Sequence, residues 1–155
     1  MLKDILAISG YGGLYKYLKK SRNGIIVENL ETQKRMNADP SARINSLEDI
    51  SIYTENGDME LKEVFKAIRD HEEGGKALNP KKAKGAELKA YFAEVIPDYD
   101  EERVYTSDIK KILTWYNTLQ ALDMLNFEES TEEQEENREE SDDSGGSEKE
   151  SEDNN

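Results

Sequence analysis

The chain has 155 residues, of which 35 are acidic, 21 basic and none cysteine, giving a formal charge of −14. That length holds one ordinary domain or two very small ones. Without cysteine, disulfides and thiolate metal sites are excluded, and no apolar run approaches the length of a membrane span.

The charge is unevenly spread. From Asn126 onward there are 14 acidic and 2 basic residues, so residues 1–125 are close to neutral at −2. Within them, residues 1–43 carry +4 and residues 44–125 carry −6. A mildly basic head is thus followed by an acidic middle and a strongly acidic end, and the head suits a phosphate-bearing ligand or an acidic protein face. The opening MLKDILAI is too short and too charged for a secretory signal, so the expectation is a soluble cytoplasmic protein with no membrane contact.

In chain order, Gly10-Tyr11-Gly12-Gly13 comes first. A phosphate loop of the Walker type needs Lys and then Ser or Thr after the last glycine, but Leu14-Tyr15 follows Gly13. A dinucleotide fingerprint needs a third glycine three residues after Gly12, where Tyr15 stands. The glycines therefore read as a bend or bulge leading into a sheet. Leu14–Lys19 alternates with period two, which predicts a strand with Leu14, Lys16 and Leu18 on one face and Tyr15, Tyr17 and Lys19 on the other. Asn23-Gly24 is a hairpin signal, because a type I′ turn needs positive φ at both central residues. Ile25-Ile26-Val27 makes the return strand, Glu31-Thr32-Gln33 a second turn, and Lys34-Arg35-Met36 the next strand. Short strands at Ile44-Asn45 and Ile50–Tyr53 flank one helical turn at Ser46–Asp49.

The period then changes. Leu61, Val64, Phe65 and Ile68 mark an amphipathic helix that follows the turn Glu55–Asp58 and ends at Gly74-Gly75. Residues 76–85, with four lysines, read as loose. Leu88, Tyr91, Phe92 and Val95 repeat the helical spacing until Pro97. A third helix, capped by Thr106 or Ser107, carries Ile109, Ile112, Leu113, Tyr116 and Leu119, with Trp115 widening its apolar face. Past Phe127 there is too little apolar surface to offset the entropy of ordering, so disorder is expected. The fold class is α+β: a small bent antiparallel sheet or SH3-like barrel in 1–55, about three short helices in 56–125, and a disordered acidic tail in 126–155.

The strings ISGYGGLYKYLKKSRNGIIVENLE, SLEDISIYT, LKEVF and LKAYFAEVIPDYDEERVYTSDIKKILTWYN together resemble a bacterial family of small proteins with a domain of unknown function. The resemblance covers nearly all of residues 2–120. It implies an SH3-like N-terminal part followed by a helical part, and it brings no activity, cofactor or catalytic residue.

Candidate sites divide by chemistry. Lys16, Lys19, Lys20, Arg22, Lys34 and Arg35 lie on neighbouring hairpin elements with Tyr15 and Tyr17 interleaved. Lysines that neutralise phosphates beside rings that stack bases are the combination used by single-strand binders. The plain alternative is lysines that solubilise a hairpin whose tyrosines pack beneath the helices. Tyr99, Arg103 and Tyr105 flank a polar connector outside the helical spacing and form a second candidate, a groove for a protein partner. His71, the only histidine, ends a predicted helix, where an imidazolium faces the negative end of the helix dipole. No metal ligand set, cofactor motif or nucleophile–base pair can be assembled. The expectation is a non-enzymatic binding or adaptor protein that takes RNA or single-stranded nucleic acid, its basic face modulated by the acidic tail. The alternatives are a protein–protein adaptor working through residues 97–116, and an enzyme with an unrecognised site. The partner's identity and the oligomeric state are not encoded in any motif.

Overall fold

The computed structural model describes residues 2–127. The expected acidic tail lies, apart from Asn126 and Phe127, outside the described residues. Residues 2–125 form one compact unit.

Seven strands and three helices make the fold: β1 Ile5–Ile8, β2 Tyr11–Ser21, β3 Gly24–Asn29, β4 Arg35–Ala38, β5 Ile44–Ser46, β6 Ser51–Thr54, β7 Gly57–Glu60, α1 Leu61–His71, α2 Gly85–Val95 and α3 Thr106–Ala121. Strands β1–β5 form one antiparallel sheet in the order β4-β3-β2-β1-β5, while β6 and β7 pair separately. The fold is therefore α+β, as its alternating periods imply. Two strands escape the sequence pattern. β1 is buried almost throughout, so nothing alternates along it, and β7 starts at Gly57, inside the expected turn Glu55–Asp58, which shortens to Glu55-Asn56. Leu47–Asp49 is a single 3-10 turn whose Glu48 N–H is accepted by the Ser46 hydroxyl at 3.3 Å.

Glycines shape β2 and its hairpin. Ile8 pairs with Tyr11 and Leu6 with Tyr15, so Gly12, Gly13 and Leu14 stand opposite Ala7 alone. Gly13 absorbs this bulge with φ +85° and Gly10 makes the turn at φ +88°, conformations that L side chains rarely adopt. At the other end Gly24 (φ +128°) closes the β2–β3 hairpin against β4, and a Cβ built there would lie 1.8 Å from the Ala38 carbonyl oxygen. Asn29 fixes the following turn, its side-chain oxygen accepting from Glu31 N and Thr32 N at 2.8 and 2.9 Å.

The sheet has two buried faces. On one, Leu6, Ile8, Tyr15, Val27 and Ala38 form a cluster joined by Ile25, Met36 and Ile44. Ala38 and Ile44 belong to the two edge strands, so the sheet curls until its edges share one core. On the other face Ile5 and Leu14 are buried, and α3 packs against β2 there. Beneath the helices lie Leu61, Val64, Phe65 and Ile68 of α1, Leu88 and Phe92 of α2, and Ile109, Ile112, Leu113, Tyr116 and Leu119 of α3. Each such side chain contributes roughly 1.5–3 kcal/mol by leaving water.

The lysine-rich connector after α1 is not loose. Ala77 and Pro80 are buried, Ala77 N donates to Asn117 Oδ1 at 2.8 Å, and the Tyr116 hydroxyl donates to the Gly75 carbonyl at 2.8 Å. The cap of α3 also differs from expectation. Tyr105 is the N-cap residue, and the Asp108 carboxylate reaches back to accept from its N–H at 2.9 Å, so neither Thr106 nor Ser107 caps the helix.

Gly24→Ala is expected to cost more than about 2 kcal/mol, because positive φ and a backbone clash combine there. Gly12→Ala, which meets nothing within 4 Å, should leave the melting temperature nearly unchanged. Equal effects in thermal denaturation would contradict the register of β2.

Candidate functional site

The β2 register decides where each hairpin cation goes. Lys16 lies opposite Glu28, and Glu28 opposite Arg35, all on the face that carries Leu14. A second irregularity falls at Leu18, since Tyr17 pairs with Val27 but Lys19 pairs with Ile26. The extra residue moves Lys19 to the Lys16 face and Lys20 to the tyrosine face, reversing the alternation read from the sequence. Arg22 is exposed at the hairpin tip and Lys34 in the turn before β4. Arg35 donates from Nε to Glu28 Oε1 at 3.2 Å, an exposed pair worth about 0–1 kcal/mol. Among the described residues no carboxylate forms an ion pair with Lys16, Lys19, Lys20, Arg22 or Lys34.

The tyrosines separate. Tyr15 is 8% exposed and belongs to the inner cluster, so it offers no ring to a ligand. Tyr17 stays partly open at 36%. The structure therefore brings lysines together on the α3 side of the sheet and withdraws one of the two rings expected beside them.

A different aromatic, Trp115, meets lysines elsewhere, at the glycine-turn end of β2. Where the glycine turn meets α3 there is a cleft of about 530 Å³, lined on the sheet side by Ser9–Gly13 and Asn45 and on the helix side by Lys110, Lys111, Thr114 and Trp115. Two lysines line it and no carboxylate does. Gly10 and Gly12 have open space where a Cβ would point, leaving the turn's backbone accessible, and Tyr11 is 52% exposed. A neighbouring cleft shares Asn45, Ile50, Lys111 and Trp115 and continues to Tyr53, Arg103 and Asp108. Together they form a groove between the sheet and α3. Lys110 and Lys111 were not singled out in the sequence because a lysine pair on an amphipathic helix reads as solvated surface. The one available signal was the KKxxxW spacing, which places Lys111 and Trp115 one helical turn apart.

The second expected site also separates. Tyr99 is 2% exposed, pairs with Thr54 in an isolated bridge and packs edge-on to Phe92 with ring centroids 5.0 Å apart. Its hydroxyl is buried without a hydrogen-bond partner, and burial pushes that phenol above its ordinary range. Tyr99 is thus core rather than partner surface. Tyr105 is 63% exposed. Arg103 donates to Asp100 Oδ2 at 2.9 Å and lies 4.2 Å from the Tyr53 ring centroid, and its hydrogen bond holds the Asp100 carboxyl below the usual carboxylate range.

His71 ends α1, with Nε2 3.6 Å from Glu94 Oε1 and 4.0 Å from Glu72 Oε2, and its ring meets Tyr91 edge-on. The Tyr91 hydroxyl donates to Glu72 Oε2 at 2.5 Å, and burial followed by that carboxylate drives its pKa upward. This cluster ties α1 to α2. Among the described residues no group of three or more His, Cys, Asp or Glu side chains converges as a metal site requires, and no helix is long and apolar enough to cross a membrane.

Comparison with known proteins adds a family. Residues 2–47 match the family described as Domain of unknown function (DUF5606), and residues 50–119 match Domain of unknown function (DUF6852). The chain is similar to a protein from Bacteroides vulgatus solved by solution NMR, at 44% identity and a TM-score of 0.71, over 82% of this chain and 91% of that one. Among curated proteins nothing matches.

Tyr99→Ala is expected to cost about 3–5 kcal/mol, as large aromatic truncations in a core do. Tyr99→Phe should be neutral or stabilising because it removes the unpaired hydroxyl, and Tyr105→Ala should change stability by less than about 0.5 kcal/mol. Chemical denaturation that ranked Tyr105→Ala as the costlier truncation would reverse these assignments.

Proposed function

We infer that this chain, which belongs to the same bacterial family of domain-of-unknown-function proteins as the Bacteroides vulgatus structure, is a non-enzymatic cytoplasmic binding protein for RNA or single-stranded DNA. One observation carries the reading: the cations of β2 without an ion-pair partner among the described residues, Lys16 and Lys19, lie on the face that carries Leu14, and α3, which packs on the same strand, contributes Lys110, Lys111 and Trp115 to the cleft at the strand's glycine-turn end. A flexible strand meets phosphate-neutralising lysines there, with a ring on which a base stacks. The curled sheet serves as an SH3-like platform, and the groove at its border with α3 is the working surface.

The acidic sequence from Asn126 onward belongs to the same proposal. At −12 it acts as a polyanion covalently linked to the basic head of a near-neutral domain, competing with weak non-specific ligands and leaving the better ones. The competing reading is a protein–protein adaptor. It draws support from the exposed rings of Tyr105 and Tyr53 beside Arg103, and it predicts capture that is insensitive to salt and lost in Tyr105→Ala.

Fluorescence anisotropy with a labelled single-stranded oligoribonucleotide at low salt should show binding by the full chain that weakens steeply as salt rises. The Lys16→Glu/Lys19→Glu variant should bind about tenfold more weakly, and truncation before Asn126 should tighten binding. No binding by any of these proteins would remove nucleic acid and leave the adaptor reading.

A further inference from the structure

We propose that the cleft between the glycine turn and α3 is a nucleotide subsite, which takes one base with its phosphate. This rests on the single-strand reading above and adds where a strand is anchored and what the anchor recognises. The cleft's volume of about 530 Å³ lies within the range of small-ligand sites, roughly 300–1,000 Å³. Lys110 and Lys111 supply two positive charges, and no acidic side chain lines the cavity to compete for them. Across from them, no atom lies within 4 Å of where a Cβ on Gly10 or Gly12 would stand, so no side chain screens the turn's backbone from a phosphate there.

The turn does not reproduce a Walker loop, because a strand and not a helix follows it. Its bulge instead holds backbone open at the cavity mouth, and Lys110 and Lys111 supply the charge that the loop itself lacks. Trp115, one turn after Lys111, lines the same cavity and offers a stacking surface without sequence preference. Asn45, on the wall between β5 and the helix, has an amide that both donates and accepts, which suits the edge of a base. The ligand chemistry is therefore a purine or pyrimidine nucleoside monophosphate, met either free or as one unit of a strand.

Trp115 is the only tryptophan in the chain, so it reports on its own site. Titrating the full chain with adenosine 5′-monophosphate should quench tryptophan emission saturably, whereas adenosine or inorganic phosphate alone should bind about tenfold more weakly or less. A 5′-phosphorylated tetranucleotide that quenches at lower concentration identifies the strand as the source of the ligand; a mononucleotide that binds as tightly identifies the free nucleotide. Lys110→Glu/Lys111→Glu, both exposed and therefore compatible with folding, should abolish the quench while the circular dichroism spectrum is kept. Oligonucleotide binding that survives in this variant but is lost in Lys16→Glu/Lys19→Glu would overturn the subsite and leave the single-strand reading intact. A nucleotide quench without any oligonucleotide binding would overturn that reading and keep the subsite. Absence of quenching at millimolar nucleotide, or quenching unchanged by the double charge reversal, overturns the subsite.

Discussion

The register of β2 is the constraint on which the rest of the structure depends. This one strand pairs with both β1 and β3, and it carries an irregularity in each ladder, one at Gly12–Leu14 and one at Leu18. Because side chains alternate with a period of two, each added residue exchanges the faces of everything beyond it. The first irregularity opens the glycine turn toward α3. The second places Lys19 beside Lys16 and turns Lys20 to the other side. Shifting the first by one residue would turn Leu14 away from its buried site, and shifting the second would separate Lys19 from the Lys16 face.

From that register the division of labour follows. The concave face collects Leu6, Ile8, Tyr15, Val27 and Ala38 and closes on itself as the sheet curls. The opposite face cannot close alone, so Leu14 is covered where α3 packs on β2, and β1, which carries Ile5, is met by the 3-10 turns Leu2–Asp4 and Leu47–Asp49. A helix laid across a sheet beside a protruding turn leaves a groove along its border, and here the groove's helical wall carries Lys110, Lys111 and Trp115. Packing thus generates the cleft, and side-chain chemistry gives it a sign.

Much of the fold was legible because its signals are local. The hairpin at Asn23-Gly24 (its central pair being Arg22-Asn23, neither at positive φ, rather than the type I′ pair expected), the turn after Asn29, the turn at Leu47–Asp49 and three amphipathic helices all announce themselves within a few residues. β1 and β7 did not, because a doubly buried four-residue strand has no alternation and a strand next to a turn looks like part of it. The pinned connector after α1 was misread for a related cause. Its lysines suggest solvation, while its anchors, Asn117 and Tyr116, lie about forty residues away.

The site was less legible still. The cation list on the hairpin could be written from sequence, but assigning faces required the bulge at Leu18, which no composition signal marks. Residues 10–13 and 110–115 meet only through tertiary packing, so no local pattern joins them. Tyr15 and Tyr99 looked like spare rings and prove to be core. The most direct measurement is an amide-resolved NMR titration of the full chain with a short single-stranded oligoribonucleotide. Shift changes should gather at Gly10–Gly13, Lys16, Lys19 and Lys110–Trp115; changes confined to residues 97–105, or spread over the concave cluster, would contradict a ligand surface on the α3 side of the sheet.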